Sequence, residues 1–219
     1  MKIAVLLPTY NEEEEIGKIL KDIKKLNNEI KSYVVDSGSK DKTVFIAKNT
    51  GASVIEISKR GKAMAVREAL KKINEEYLVM MDSDGSYSIK DISLIIEKLK
   101  EADVVIGSRL KGSIERGAMA EINRIGNIFL SFLASLIYGK QISDVCSGMW
   151  GFRKKAYKQL DIKAKHFELE VDLFANCAKK NFKIIEVPIT YKKRTGKTKL
   201  NPFVDGTKIA FHLIKRRFF

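Results

Sequence analysis

Residues 77–88 read YLVMMDSDGSYS: an uninterrupted apolar run, Tyr77 to Met81, breaks off into Asp82, Ser83, Asp84 and Gly85. A short apolar run bounded by turn residues is the pattern of a strand buried on both faces of a sheet. Two carboxylates one residue apart repel each other unless a cation lies near them. A hard divalent ion, bridging carboxylates to phosphate oxygens, is the natural candidate. By itself the pattern is equally that of a strand-end turn, because Asp and Gly are turn residues.

Working outward, the first half of the chain alternates between strand and helix patterns. KIAVLLPTY predicts a strand ending at Pro8. NEEEEIGKILKDIKKL predicts a helix with Asn11 as N-cap, acidic residues in its first turn and an apolar face of Ile16, Ile19, Leu20 and Ile23. A strand over SYVVD, a helix near 41–49, a strand over SVIEI, a helix over KAMAVREALKKI, a helix over 90–100 and a strand over ADVVIGSR follow. This alternation predicts an α/β fold with a mostly parallel sheet covered on both faces. Ligands of such sheets bind beyond the carboxyl ends of the strands. The polar clusters Thr9-Tyr10-Asn11-Glu12, Asp36-Ser37-Gly38-Ser39 and Asp82-Ser83-Asp84 are therefore expected to line one crevice. No GxGxxG fingerprint is present, so phosphates would have to be held by a metal and by basic side chains.

The second half breaks the alternation. Residues 121–139 form a helix that is apolar on most sides, and its uncharged stretch is shorter than the ~20 residues needed to span a bilayer. DVCSGMWGFRKKAY reads as a strand entering a helix, ELEVDLFANCAKKN as a helix, FKIIEVPITY as a strand, and KKRTGKTK as a basic loop. The tail from Asn201 is an amphipathic helix rich in Phe and cations.

Composition narrows the classes. At 219 residues and 45% hydrophobic, the chain can form one domain with a sizeable core, or one domain with an appendage. Cys146 and Cys177 belong to no CxxC or Cys/His cluster, which argues against a disulfide framework or a zinc site and for a reducing interior. Met1 leads directly into a strand-like run rather than a signal peptide. Of the net charge of +14, none falls in residues 1–107, which hold 18 Lys and Arg against 18 Asp and Glu; residues 108–219 hold the other 23 and 9. That asymmetry points to nucleic acid, anionic lipid or phosphate ligands.

The segments LLPTYNEEEEI, VVDSGSKDKT, GKAMAVREAL, MDSDGSY, GSR, DVCSGMWGFR and YKKRTGKTKL follow one another in an order and spacing that resembles glycosyltransferase family 2 over essentially the whole chain. Each is a weak signal; their order makes the resemblance specific. It is nearest the dolichyl-phosphate mannose synthase branch of polyprenyl-phosphate glycosyltransferases. The resemblance implies a GT-A fold: a mostly parallel central sheet flanked by helices, here with a C-terminal amphipathic helix. It also implies an inverting transfer of a hexose from a nucleoside diphosphate sugar to a polyprenyl (dolichyl) phosphate. Carried over by position, Pro8, Tyr10 and Glu12 would border the nucleotide, and Val35 and Asp36 would face the base. Asp82, Ser83 and Asp84 would lie at the donor diphosphate. Asp82 and Asp84 would hold Mg²⁺ or Mn²⁺, with Ser86 at a third position near the metal. Arg109 and Arg124 would receive the acceptor phosphate, and Arg194 and Lys199 would close over the phosphates. Asp84, Arg109 and Arg124 are thus the candidate catalytic residues. Ser37 stands where the family often has a second acid, and Ser86 where many mannose synthases have glutamine, so GDP-mannose, UDP-glucose and UDP-GlcNAc all stay open as donors.

The implied division is a catalytic domain over 1–199, with a nucleotide-binding half (1–107) and an acceptor-binding half (108–199), followed by a membrane-interface tail over 200–219. The acceptor phosphate is already an anion and needs no strong general base, which agrees with a chain whose two histidines, His166 and His212, are expected to be structural or surface residues rather than catalytic ones. Helix 121–139 carries Ile125, Phe129, Phe132, Leu133 and Leu136 beside Arg124. The tail carries Phe203, Ile209, Phe211, Ile214, Phe218 and Phe219 beside Lys208, Lys215, Arg216 and Arg217. Apolar area with flanking cations is what an interfacial helix needs, so the expectation is a peripheral enzyme without a transmembrane helix on the cytoplasmic face of an anionic membrane. The competing reading packs both helices into the core or a homodimer interface. Two other functions compete: a glycosyltransferase with a non-lipid saccharide acceptor, and a basic nucleic-acid-binding module. Against the module, no nucleic-acid-binding motif is present and the cations accompany apolar helices. The expected partners are therefore the donor, the lipid acceptor and the membrane, with no nucleic acid.

Overall fold

The computed structural model of the chain describes residues 2–58, 61–196 and 202–218. Its strands are β1 (Ile3–Thr9), β2 (Lys31–Asp36), β3 (Ser53–Glu56), β4 (Tyr77–Met80), β5 (Val104–Ile114), β6 (Trp150–Arg153) and β7 (Ile184–Tyr191). They form one sheet in the order β3-β2-β1-β4-β6-β5-β7. β6 runs antiparallel between β4 and β5, while the other pairs are parallel. Strands from both halves of the chain therefore share one sheet.

Side chains of a strand alternate between faces, and the burial follows that alternation. Leu6, Val35, Leu78, Met80, Val104 and Ile106 enter one core; Val5, Leu7, Val34, Val79, Met81 and Val105 enter the other. The first core is closed by α3 (Lys62–Lys72), α5 (Glu121–Tyr138), α7 (Leu169–Lys179) and α8 (Pro202–Phe218), the second by α1 (Ile16–Leu26), α2 (Thr43–Asn49) and α4 (Asp91–Lys98). A short α6 (Lys154–Tyr157) follows β6. Because both faces are covered, the strands read as unbroken apolar runs rather than alternating ones.

Three expectations are corrected. Asn11 does not cap a helix: it has φ 54°, and α1 begins only at Ile16. The backbone donors of Asn11, Glu12 and Glu13 go instead to Ser39 Oγ (2.8 Å), Thr43 Oγ1 (2.8 Å) and Asp41 Oδ2 (3.2 Å), which zips the β1–α1 loop to the β2–α2 loop. Arg109 does not end a strand, since β5 continues to Ile114; it sits where the pairing with β7 shifts register between Ser108 and Ser113. Ile209 does not lie on the outer face of the tail. With Leu213 it is buried in the core against α5 and α7, and Tyr138 Oη donates to the Leu213 carbonyl at 3.0 Å.

Candidate functional site

β2, β1 and β4 lie side by side and parallel, so their carboxyl ends meet at one edge of the sheet. The loops after them form the floor of the site. Ser83 Oγ donates to the Pro8 carbonyl at 2.8 Å, which ties the β4 loop to the end of β1. Thr9 and Ser83 are buried, and Tyr10 and Glu12 are half-buried beyond them. Val35 lies wholly within the core, leaving only its backbone near the site. Asp36 Oδ2 accepts from the amides of Gly38 (2.8 Å) and Ser39 (2.9 Å), and Oδ1 accepts from the Ser39 hydroxyl. Its carboxylate builds the turn whose rim faces the crevice.

The two aspartates after β4 each hold a protein cation. Asp82 Oδ1 is 2.5 Å from Lys62 Nζ, and the same ammonium is 2.5 Å from Glu170 Oε1. Asp84 Oδ2 is 3.0 Å from Arg194 Nη2. Burial disfavours the Lys62 charge, but Asp82 and Glu170 outweigh it and raise its pKa above the ordinary lysine value. Asp84 Oδ1 accepts from the amide (3.0 Å) and hydroxyl (2.5 Å) of Ser86. Ser86 is fully buried, so its hydroxyl orients Asp84 from behind. Gly85 makes this tight loop feasible: it has φ +79°, and a Cβ there would meet Glu15 Oε2 at 2.9 Å. Glu15 in turn accepts from Thr195 Oγ1 at 2.8 Å, and the Thr195 amide donates to the Asp84 carbonyl at 3.2 Å. The segment after β7 therefore lies along the aspartate loop. Lys199, expected to act beside Arg194, lies outside the described residues.

A second cluster forms around β5. Arg109 Nε and Nη2 donate to the two oxygens of Asp144 (2.8 and 2.7 Å), and the Arg109 amide donates to Asp144 Oδ2 at 2.8 Å. Asn127 of α5 donates to the same carboxylate. The guanidinium lies over the Tyr191 ring, 5.1 Å from its centroid. Burial works against the Arg109 charge, yet Tyr87 and Asp144 hold its pKa well above the usual value. Burial alone would raise the Asp144 pKa, but Arg109 and the hydrogen bonds lower it. Arg124 stands three residues before Asn127, on the same side of α5. It is exposed and only loosely paired with Glu121, at 3.9 Å.

Tyr87 connects the two clusters. It is buried, its hydroxyl accepts from the Gly148 amide at 2.6 Å, and its ring meets Tyr191 edge-on at 5.2 Å. Gly148 backs onto Asp82: a Cβ there would stand 2.3 Å from Asp82 Oδ2. Sequence reasoning missed Tyr87, the Tyr191 platform and the Lys62–Glu170 link. The position of Tyr87 just after the aspartate motif was the one available signal.

Among the described residues no group of three or more His, Cys, Asp or Glu gathers as a metal cage. Asp82 and Asp84 are still a hard-oxygen pair suited to a divalent ion whose remaining positions are filled by substrate phosphate and water.

Comparison with known proteins places the chain. The model of "Glycosyl transferase family 2" matches residues 4–161, and the chain belongs to that family. A dolichyl-phosphate hexose transferase of Haloferax volcanii is 33% identical, covering 97% of this chain and 92% of the relative. A UDP-N-acetylglucosamine–dolichyl-phosphate N-acetylglucosaminyltransferase of Methanococcus voltae is 31% identical, covering 97% and 94%. Glucosyl-3-phosphoglycerate synthase of Mycobacterium tuberculosis, solved in complex with Mn²⁺, UDP and glucosyl-3-phosphoglycerate, superposes with a TM-score of 0.78 at 19% identity, covering 99% of this chain and 80% of that one. This last likeness is one of fold, the GT-A arrangement expected from the motifs. The chain is thus a sugar-transferring enzyme.

Proposed function

We propose that the protein transfers a hexose from a nucleoside diphosphate sugar to a polyprenyl phosphate, with Asp82 and Asp84 holding Mg²⁺ or Mn²⁺ against the donor diphosphate. The observation that carries this reading is the pair of anion-binding elements on either side of Tyr87: the aspartate loop with Lys62 and Arg194, and the rigid Arg109 braced by Asp144. An ion held by Asp82 and Asp84 would supply neutralisation of charge on the departing diphosphate. Arg194 offers a guanidinium at the same loop. Arg109 keeps donors not used by Asp144 for a phosphate, and Arg124 adds an exposed cation at the start of α5. The acceptor phosphate is itself the nucleophile, so no side chain has to remove a proton. Pro8, Tyr10, Glu12, Val35, Asp36 and Ser83 form the nucleotide side; Lys199 belongs to the same basic segment as Arg194.

The acceptor reading is supported by the outer face of α5 and α8. Ile122, Ile125, Phe129, Phe132 and Leu136 of α5 are exposed, as are Phe211, Ile214 and Phe218 of α8. Arg124, Lys208, Lys215 and Arg217 are exposed beside them. Among the described residues no helix is long and apolar enough to cross a membrane. An apolar face with flanking cations suits the headgroup region of an anionic bilayer, and we assign the α5–α8 face, with the segment 200–219, to peripheral attachment there. The test is transfer: radiolabelled GDP-mannose, UDP-glucose and UDP-GlcNAc are each incubated with the protein, Mn²⁺ and polyprenyl phosphate. Label entering the organic phase supports the proposal. Label transferred only to a water-soluble saccharide would favour the other acceptor class, and no transfer from any donor would overturn the proposal.

A further inference from the structure

Lys62 and Glu170 lie 108 residues apart, yet the Lys62 ammonium bridges Glu170 to Asp82. Three features fix the contact. Gly61 allows the start of α3 to approach the segment ahead of α7 closely, since a Cβ there would stand 3.1 Å from the Lys165 carbonyl and its φ is +131°. Asp82 Oδ2 is backed by Gly148, so the side facing Lys62 is the open side of that carboxylate. Lys62 is held by two carboxylates at 2.5 Å each, and Glu170 is the more enclosed of the two. A divalent ion on Asp82 Oδ1 would compete with the ammonium that now sits there, because like charges at one oxygen repel.

We infer that Lys62 is a resident counter-ion that must be exchanged for the metal, with Glu170 retaining the displaced ammonium as the donor loads. The inference rests on the metal reading of Asp82 and Asp84 given above. Charge counting fits it. Asp82, Asp84, Glu170 and the adjoining Glu15 carry four negative charges and Lys62 and Arg194 two positive ones, so the cluster is net negative before a divalent ion enters and neutral after, which removes the charge that would repel a diphosphate. Lys62 is thus a positioning residue that makes metal entry depend on the nucleotide, whose phosphates give the released ammonium a further partner. Free metal is kept out and the metal–donor pair is let in.

The test is Mn²⁺ binding, followed by electron paramagnetic resonance with and without UDP or GDP, in the parent, Lys62→Met, Glu170→Gln and the double variant. Without nucleotide, Lys62→Met should bind Mn²⁺ about tenfold more tightly than the parent, and the enhancement by nucleotide, on the order of 10-fold for a coupled pair of ligands, should shrink. Glu170→Gln should do the reverse and weaken Mn²⁺, because the ammonium then bears on Asp82 alone. That weakening should largely vanish in the Lys62→Met background, as expected of residues that act through each other. If Lys62→Met does not fold, the comparison of the double variant with Glu170→Gln carries the same prediction without a buried unpaired Glu170. Equal or weaker Mn²⁺ binding on removal of Lys62 overturns the inference while leaving the metal reading intact. No Mn²⁺ binding in any protein, with either nucleotide, overturns both.

Discussion

The carboxylates at the end of β4 and those deeper in the second half hold cations in different ways. Asp144 and Asp172 have no exposed surface. Asp144 holds Arg109 bidentately and takes further bonds from the Arg109 amide and from Asn127. Asp172 accepts from the amides of Lys163 (2.6 Å) and Ala164 (2.8 Å) and lies 2.6 Å from Arg216 Nε, which fastens α8 to α7. Asp82, with 30% of its side chain exposed, meets Lys62 through a single oxygen, and Asp84 meets Arg194 through one. The deep carboxylates are wholly buried and anchored by backbone donors, so replacing their cation would strand a buried charge. The crevice pairs are single contacts in which the cation is partly exposed, Lys62 at 28% and Arg194 at 33%. Asp82 is itself at a solvent-facing edge, while Asp84 is buried and held by Ser86, so at both aspartates it is the cation that can be exchanged for another. The same chemistry builds scaffold in one place and, in the other, the site proposed to load metal and donor.

The largest expected effect sharpens the contrast on the crevice side. Asp84→Asn should lower kcat about 10³-fold, the loss of ~4 kcal/mol of charge stabilisation, while the melting temperature stays close to the parent's. Transfer at the parent rate in metal-limited buffer would break the assignment. On the deep side the effect should fall on stability. Asp144→Asn leaves the buried Arg109 without its counter-charge, at a cost of about 3–5 kcal/mol, or roughly 10 °C in Tm for a chain of this size. A melting curve unchanged from the parent would contradict the account of Asp144 as a brace.

Asp172 gives a pH signature. Burial alone would raise its pKa, but His212, the loop amides and Arg216 lower it. A carboxylate with a lowered folded pKa contributes stability that is fully present above the unfolded value, ~4, and is lost as pH falls through the folded value. As pH falls below about 4 the parent should therefore lose stability more steeply than Asp172→Asn, as measured by urea unfolding at each pH. Parallel pH curves would remove Asp172 from the set of locked pairs.

The smallest effect on folding belongs to the outer face of α5. Phe132 is 66% exposed, so a Phe129→Ser, Phe132→Ser double variant should change stability by no more than ~0.5 kcal/mol per site. Binding to anionic vesicles should drop about tenfold or more, given the apolar area withdrawn from the bilayer, and parent binding should weaken as salt rises. Undiminished flotation of the variant would leave the face without its assigned role.

Much of this was legible in the sequence because a parallel strand runs apolar to its carboxyl end and then meets the ligand. That is why YVVD and YLVMMDSD marked strand ends that the structure brings to one edge of the sheet. The antiparallel insertion of β6 was not legible, since a strand of four residues carries no local mark of its direction. The Asn11 expectation failed because its backbone donors were claimed by a loop 28 residues further on. Lys62 read locally as either a phosphate contact or a solvated helix start, and Glu170 as part of a helix's acidic first turn; only the closure of α3 and α7 over the same core brings Lys62 between Asp82 and Glu170.

The most direct test of the contrast between exchangeable and locked carboxylates is a crystal structure with Mn²⁺ and the donor nucleotide, read at the manganese absorption edge. The account predicts an anomalous peak within coordination distance of both Asp82 and Asp84, with Lys62 Nζ withdrawn from Asp82 and the Arg109–Asp144 and Arg216–Asp172 pairs unmoved. A peak away from these two aspartates, or Lys62 still seated on Asp82 with the metal bound, would contradict it.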